Sequence, residues 1–176
     1  MKRFLIKIFL FFILFFSFIK ISENITFKID ERYILIYDNV WGSIYNPVIE
    51  QCNNNPTITG DGSKINIEKA SELRWVAISQ DMLYCIYRQK LINDSTDNRY
   101  KGKIKYGDTI WIDSPYNNIN GIWIVHDTKN KRYSGSIDFL QTLNDGSLYD
   151  NNPLWSGKFE NIKIYKYNKN LINNLS

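Results

Sequence analysis

The sequence predicts an all-β chain, folded as a small barrel or sandwich. Two observations lead there. Short segments rich in β-branched and aromatic residues alternate with period two, and clusters of Gly, Asn, Asp and Pro separate them. Helical periodicity is weak by comparison. Only residues 67–73 and 81–89 offer one or two short helices.

The strand-like segments run in order along the chain. Residues 24–29 contain I-T-F-K-I, and residues 33–37 read Y-I-L-I-Y. Residues 40–45, 74–79, 109–113, 121–126, 136–141 and 161–167 follow, each bounded by turn residues. Three stretches read as loops. Residues 51–62 (Q-C-N-N-N-P-T-I-T-G-D-G) are full of turn formers, residues 91–107 are polar, and residues 144–157 hold Pro153 and Trp155. Residues 168–176 read as a frayed tail, and no internal repeat is found.

The length of 176 residues suits one domain. Aromatic residues at 15% supply a core, although seven of the ten Phe fall in the first 18 residues. The formal charge of +4 comes entirely from Lys2, Arg3, Lys7 and Lys20. Beyond residue 20 the basic and acidic side chains balance, so nucleic-acid binding by phosphate neutralisation is not expected.

Residues 1–7 are basic and residues 8–19 almost wholly apolar. That is the pattern of a secretory signal, too short for an ordinary membrane span. It is either cleaved near Ser22 or retained as an anchor, and export to the periplasm, envelope or medium is expected in both cases. In an oxidising compartment Cys52 and Cys85 form a disulfide, or they stay as two buried thiols. One His and two Cys do not make a structural zinc site, so no metal is expected. His126, between Val125 and Asp127, marks a strand end.

Acidic residues at strand ends are the candidates for chemistry. Asp127 follows the apolar run I-W-I-V-H, and Asp138 lies inside G-S-I-D-F-L. Asp is disfavoured in strands, and alternation turns its side chain away from the faces of Ile137 and Phe139. It then points either to solvent or into a site.

The runs W-V-A-I-S-Q-D-M-L (75–83), Y-G-D-T-I-W-I (106–112), G-I-W-I-V-H-D-T (121–128) and G-S-I-D-F-L (135–140) resemble the three-aspartate domain. That domain is similar to the barrel of membrane-bound lytic transglycosylase A and, more remotely, to rare lipoprotein A. The family's successive elements correspond to T-G-D-G (59–62), A-I-S-Q-D (77–81) and the pair Asp127-Thr128 with Ile137-Asp138. Residues 129–133 (K-N-K-R-Y) stand where the family has Gly-Gly. Residues 82–106 replace a short turn, and Asp81 falls two residues late.

The resemblance implies a six-stranded double-psi β-barrel over residues 45–167, with a leader at 1–22, an N-terminal strand extension at 23–44 and a tail at 168–176. It also implies a peptidoglycan lytic transglycosylase, which cuts the MurNAc–GlcNAc β-1,4 bond to a 1,6-anhydro product without a cofactor. Asp138 is then the general acid/base and Asp127 its electrostatic partner, with Asp81 and Thr59 in support. The chemistry needs a carboxyl group with a raised pKa, supplied by an apolar wall or a neighbouring carboxylate. Loop residues Tyr116, Arg132, Tyr133 and Trp155 are the expected sugar-binding rim, whereas Trp111 and Trp123 are expected in the core. A monomer acting on glycan strands is expected. The alternative is a noncatalytic barrel that binds cell-wall glycan or has a structural envelope role.

Overall fold

The structure, a computed structural model, describes residues 33–52, 54–148 and 157–167. The leader, the expected strand at 24–29, Trp155 and the tail lie outside these residues. Six strands form a closed barrel: β1 (Tyr33–Tyr45), β2 (Trp75–Ile78), β3 (Thr109–Asp113), β4 (Gly121–Thr128), β5 (Ser136–Leu140) and β6 (Phe159–Tyr167). Their order around the barrel is β1-β5-β2-β4-β3-β6. The pairs β1/β5 and β2/β4 are parallel and the other four antiparallel.

This order has an internal two-fold. Exchanging β1 with β4, β2 with β5 and β3 with β6 returns the same ring and the same sense for every pair. The fold is all-β, and its helical content is small. It comprises a 3₁₀ segment at Ile67–Leu73, α1 at Ile86–Gln89 and one 3₁₀ turn at Asn117–Ile119.

Alternation decides which side chains fill the barrel. Val76, Ile78, Ile110, Ile112, Trp123, Val125, Ile137, Phe139, Phe159, Ile162 and Ile164 are buried inside it. Trp123 lies edge-on to Phe139 at 4.8 Å and donates its indole N–H to the Ile119 carbonyl at 2.7 Å. A second, smaller cluster lies outside the barrel wall. There Ile65 and Ala70 pack over Tyr45, Ala77 and Leu140.

Two expectations change. The barrel begins at Tyr33 rather than residue 45, because β1 pairs along its length with β6 and, from Trp41 on, with β5. Residues 33–44 are therefore a stave of the barrel. Asp38-Asn39 reads as a turn in the sequence, but here it is a bulge. The register shifts between Tyr37 and Val40, and Asn39 takes φ +57° while Asp38 Oδ1 accepts its N–H at 2.8 Å. Segment 91–107 is likewise not wholly a surface excursion. Tyr100 and Ile104 are buried, and Ile104 bridges to Leu83.

Gly42 faces the barrel interior beside side chains of β5 and β6. A Cβ there would lie 2.8 Å from Ile162 Cδ1, 3.0 Å from Phe139 and 3.2 Å from Ile137. Gly42→Val overpacks this point and should destabilise the fold by about 1–3 kcal/mol. Urea denaturation checks this, and an unchanged midpoint would mean the interior has slack at β1.

Candidate functional site

The site begins with an irregularity in β4. Val76 pairs with Val125, but the next residue of β2, Ala77, pairs with Asp127, so His126 is the extra residue of a β-bulge. Bulges re-aim side chains. Strict alternation would put Asp127 on the same face as the buried Val125. The bulge instead brings it onto the outer face, in line with Ala77.

That line extends across four strands. Ser43 pairs with Asp138, Asp138 with Ala77, and Ala77 with Asp127. The two carboxyl-bearing residues thus stand two strand spacings apart, about 9–10 Å between backbones. Only the small side chain of Ala77 lies between them. Around this row is a groove of about 950 Å³, walled on one side by the alternate residues Trp41, Ser43 and Tyr45 of β1.

The two carboxyls have different surroundings. Burial pushes the Asp127 carboxyl above its ordinary value, although the backbone N–H groups of Thr128 and Gly60 work against the shift. Both donate to Oδ1 at 2.8 Å. The Tyr45 hydroxyl is buried beside the same carboxyl, and its approach to Asp127 also works against the upward shift. Asp138, by contrast, is engaged as a carboxylate. Lys129 Nζ lies 2.5 Å from its Oδ1, which also accepts the Ser43 hydroxyl. The Lys129 side chain is only 1% exposed. Burial lowers its pKa, and Asp138 opposes that shift.

Lys129 is held there by the strand it prolongs. Its N–H donates to the Ile78 carbonyl at 2.9 Å, and its carbonyl accepts Gln80 Nε2 at 3.1 Å. Its ammonium sits 4.2 Å from the Trp41 ring centroid and 5.0 Å from that of Tyr133. A residue in a basic loop is thereby drawn into the groove floor.

The T-G-D-G turn braces Asp127 from the other side. A Cβ on Gly60 would lie 2.7 Å from the Tyr106 hydroxyl and 3.0 Å from Asp127 Oδ1, so only glycine permits this approach. Arg88 on α1 donates to the Gly60 carbonyl at 2.9 Å and ties segment 82–106 to the turn. Thr59 is buried, and its hydroxyl serves the turn itself, toward Asp61 Oδ1 at 2.6 Å and the Ser63 carbonyl at 3.1 Å.

The expected site residues therefore divide. Asp127, Asp138, Arg132 and Tyr133 meet in the groove. Asp81 does not line it; its carboxylate accepts the Gly135 N–H at 3.1 Å and fastens the start of β5. Thr59 also does not line it. Tyr116 packs edge-on against the core residue Phe159 at 5.1 Å. Trp41, Ser43, Tyr45, Gly60, Arg88 and Lys129 are not singled out by the sequence. The period-two spacing of Trp41, Ser43 and Tyr45 is the available signal, since it puts all three on the face opposite Gly42.

His126 stands outside the groove lining and stacks on Trp75 at 4.1 Å. Asp61 Oδ2 at 2.7 Å and Ser63 Oγ at 3.2 Å both meet its Nδ1. A Ser-His-Asp relay uses the two ring nitrogens separately, so this cluster is not one. Cys52 and Cys85 are both free thiols. Cys52 lies in the groove wall, and burial raises its pKa. Among the described residues, no group of three or more metal-ligating side chains occurs. No family model matches the chain, and no curated protein does either.

The raised pKa of Asp127 has a definite consequence for stability. Its native state holds the proton more readily than the unfolded chain, so its contribution is full at low pH and is lost as pH rises through the folded value. Asp127→Asn keeps an acceptor for both N–H groups and removes this dependence. The stability of the variant relative to wild type should therefore rise between about pH 3.5 and pH 7 in urea denaturation. A difference that stays flat or falls would show that Asp127 is not desolvated.

Proposed function

We propose that the groove takes a glycan strand and cleaves it by lytic transglycosylation, as the resemblance to the three-aspartate family implies. Asp127 is the general acid/base, and Asp138 is its ionised neighbour. The supporting observation is the in-register row on one open face. It carries two carboxyls, one desolvated and one ion-paired. Two carboxyls with unlike environments are the usual ground for dividing acid from electrostatic partner.

The assignment exchanges the roles that the resemblance gives the two residues. The Asp138 Oδ1 is already occupied by the Lys129 ammonium and the Ser43 hydroxyl. Burial favours the protonated form of Asp127, which makes it the better proton carrier of the two. In the reaction, Asp127 protonates the glycosidic oxygen as the C1–O4 bond breaks. The 6-hydroxyl of the same sugar closes on C1, and its proton returns to the Asp127 carboxylate. No water is consumed, and Asp127 ends as it began. Asp138, fixed by Ser43 and Lys129, faces the positive charge that develops at C1. The basic-then-apolar leader supports action on exported or envelope glycan, with peptidoglycan as the substrate.

A second reading, a noncatalytic glycan-binding barrel, is favoured by one observation. Lys129 stands where the family has glycine, and it engages Asp138 directly. One experiment separates the two. Purified protein is incubated with peptidoglycan, and soluble products are read by mass spectrometry. The enzyme reading expects 1,6-anhydro muropeptides, a loss on the order of 10²-fold or more in Asp127→Asn and a smaller loss in Asp138→Asn. Binding without any anhydro product would establish the noncatalytic barrel instead. A fully active Asp127→Asn variant would refute the acid assignment.

A further inference from the structure

The groove is not uniform along its length. It follows β1 from Trp41 through Ser43 to Tyr45, about 13 Å of strand. At the Trp41 end, cations and rings are gathered. Lys158 Nζ lies 5.1 Å from the Trp41 ring centroid, Tyr133 packs edge-on to Trp41 at 5.9 Å, and the Arg132 guanidinium lies 4.8 Å from the Tyr133 ring. Lys129 is already engaged by Asp138. Arg132 and Lys158 have no acidic side chain within 4.0 Å among the described residues, and both are exposed.

The Tyr45 end is of the opposite character. Glu50 and Gln51 line it, and the Asp127 carboxyl lies there beside Tyr45. The Tyr45 hydroxyl is buried against the Asp127 carboxyl, and the acidic Glu50 in the lining disfavours an anion at this end. One end thus suits a neutral saccharide and the other an anion beside an aromatic face.

From this polarity we propose that the groove selects a glycan bearing carboxylate substituents and binds it in one direction, with the carboxylate between Arg132 and Lys158 at the Trp41 end. The inference rests on the glycan reading of the groove and adds its charge class and orientation. Guanidinium and ammonium groups bind carboxylates by charge-assisted hydrogen bonds. Among the described residues, no acidic side chain pairs with either cation. The carboxylate has two chemical sources in a cell-wall strand, the lactyl group of the sugar and the acidic residues of an attached peptide.

Binding is measured with the full chain carrying Asp127→Asn, by quenching of tryptophan fluorescence and by calorimetry. The probes are a neutral chitin oligosaccharide, a peptide-free muramyl strand and a peptide-bearing strand of matched length. The charged strands should bind roughly tenfold or more tightly than chitin, a difference of about 1.4 kcal/mol. Arg132→Gln with Lys158→Gln should abolish that preference, bringing the charged strands to the affinity of chitin. Both positions are exposed, so the fold is not at risk. Preference for both charged strands points to the lactyl carboxylate, and preference for the peptide-bearing strand alone points to the peptide. Equal binding of all three, with no effect of the double substitution, would overturn the anionic subsite and leave the glycan groove standing. No binding of any strand would overturn both.

Discussion

The site depends on one extra residue in β4. Because His126 bulges, Asp127 faces outward opposite Ala77 and completes a row that already carries Ser43 and Asp138. Without the bulge, the carboxyl would follow Val125 toward an interior filled by Trp123 and Phe139. An unpaired carboxylate there would be strongly destabilising. The same turn of the chain leaves His126 free to stack on Trp75 and to hold the turn that supplies Gly60. Fold and site are thus joined at a single backbone irregularity.

Electrostatics in the groove follow from this placement. Asp127 is desolvated because Tyr45, Tyr106 and the Gly60 turn close around it, and its two N–H donors only partly offset the cost. Asp138 sits on the same face but toward the opening, where a buried lysine reaches it. The lysine is itself unfavourably placed. Trp41 and Tyr133 shield it from water, and the attraction of Asp138 does not fully restore its ordinary pKa. Such paired, partly buried charges contribute little net stability. They do fix side-chain geometry in the part of the groove where a ligand would lie.

All six barrel strands are legible in the sequence, because each has an inward face of Val, Ile, Phe or Trp at period two. Asp138 is legible for the same reason, as the polar residue between Ile137 and Phe139. Asp127 is legible as an acidic residue at the end of an apolar strand, but simple alternation gives it the wrong face. The boundary at residue 45 fails because Asp38 and Asn39 carry the composition of a turn, and bulges share that composition. Lys129 and Arg88 are not legible. Both lie in polar stretches, and what makes them matter is long-range contact, with Asp138 on β5 and with the Gly60 carbonyl.

The central claim is that the bulged aspartate, not the strand aspartate, carries the exchangeable proton. Carboxyl-carbon NMR titration of the full chain tests it most directly, with Asp127→Asn used to assign the Asp127 resonance. The account predicts that Asp127 titrates above the ordinary aspartate range while the resonance assigned to Asp138 shifts on substitution of Lys129. An Asp127 resonance titrating at or below the ordinary aspartate value would contradict it.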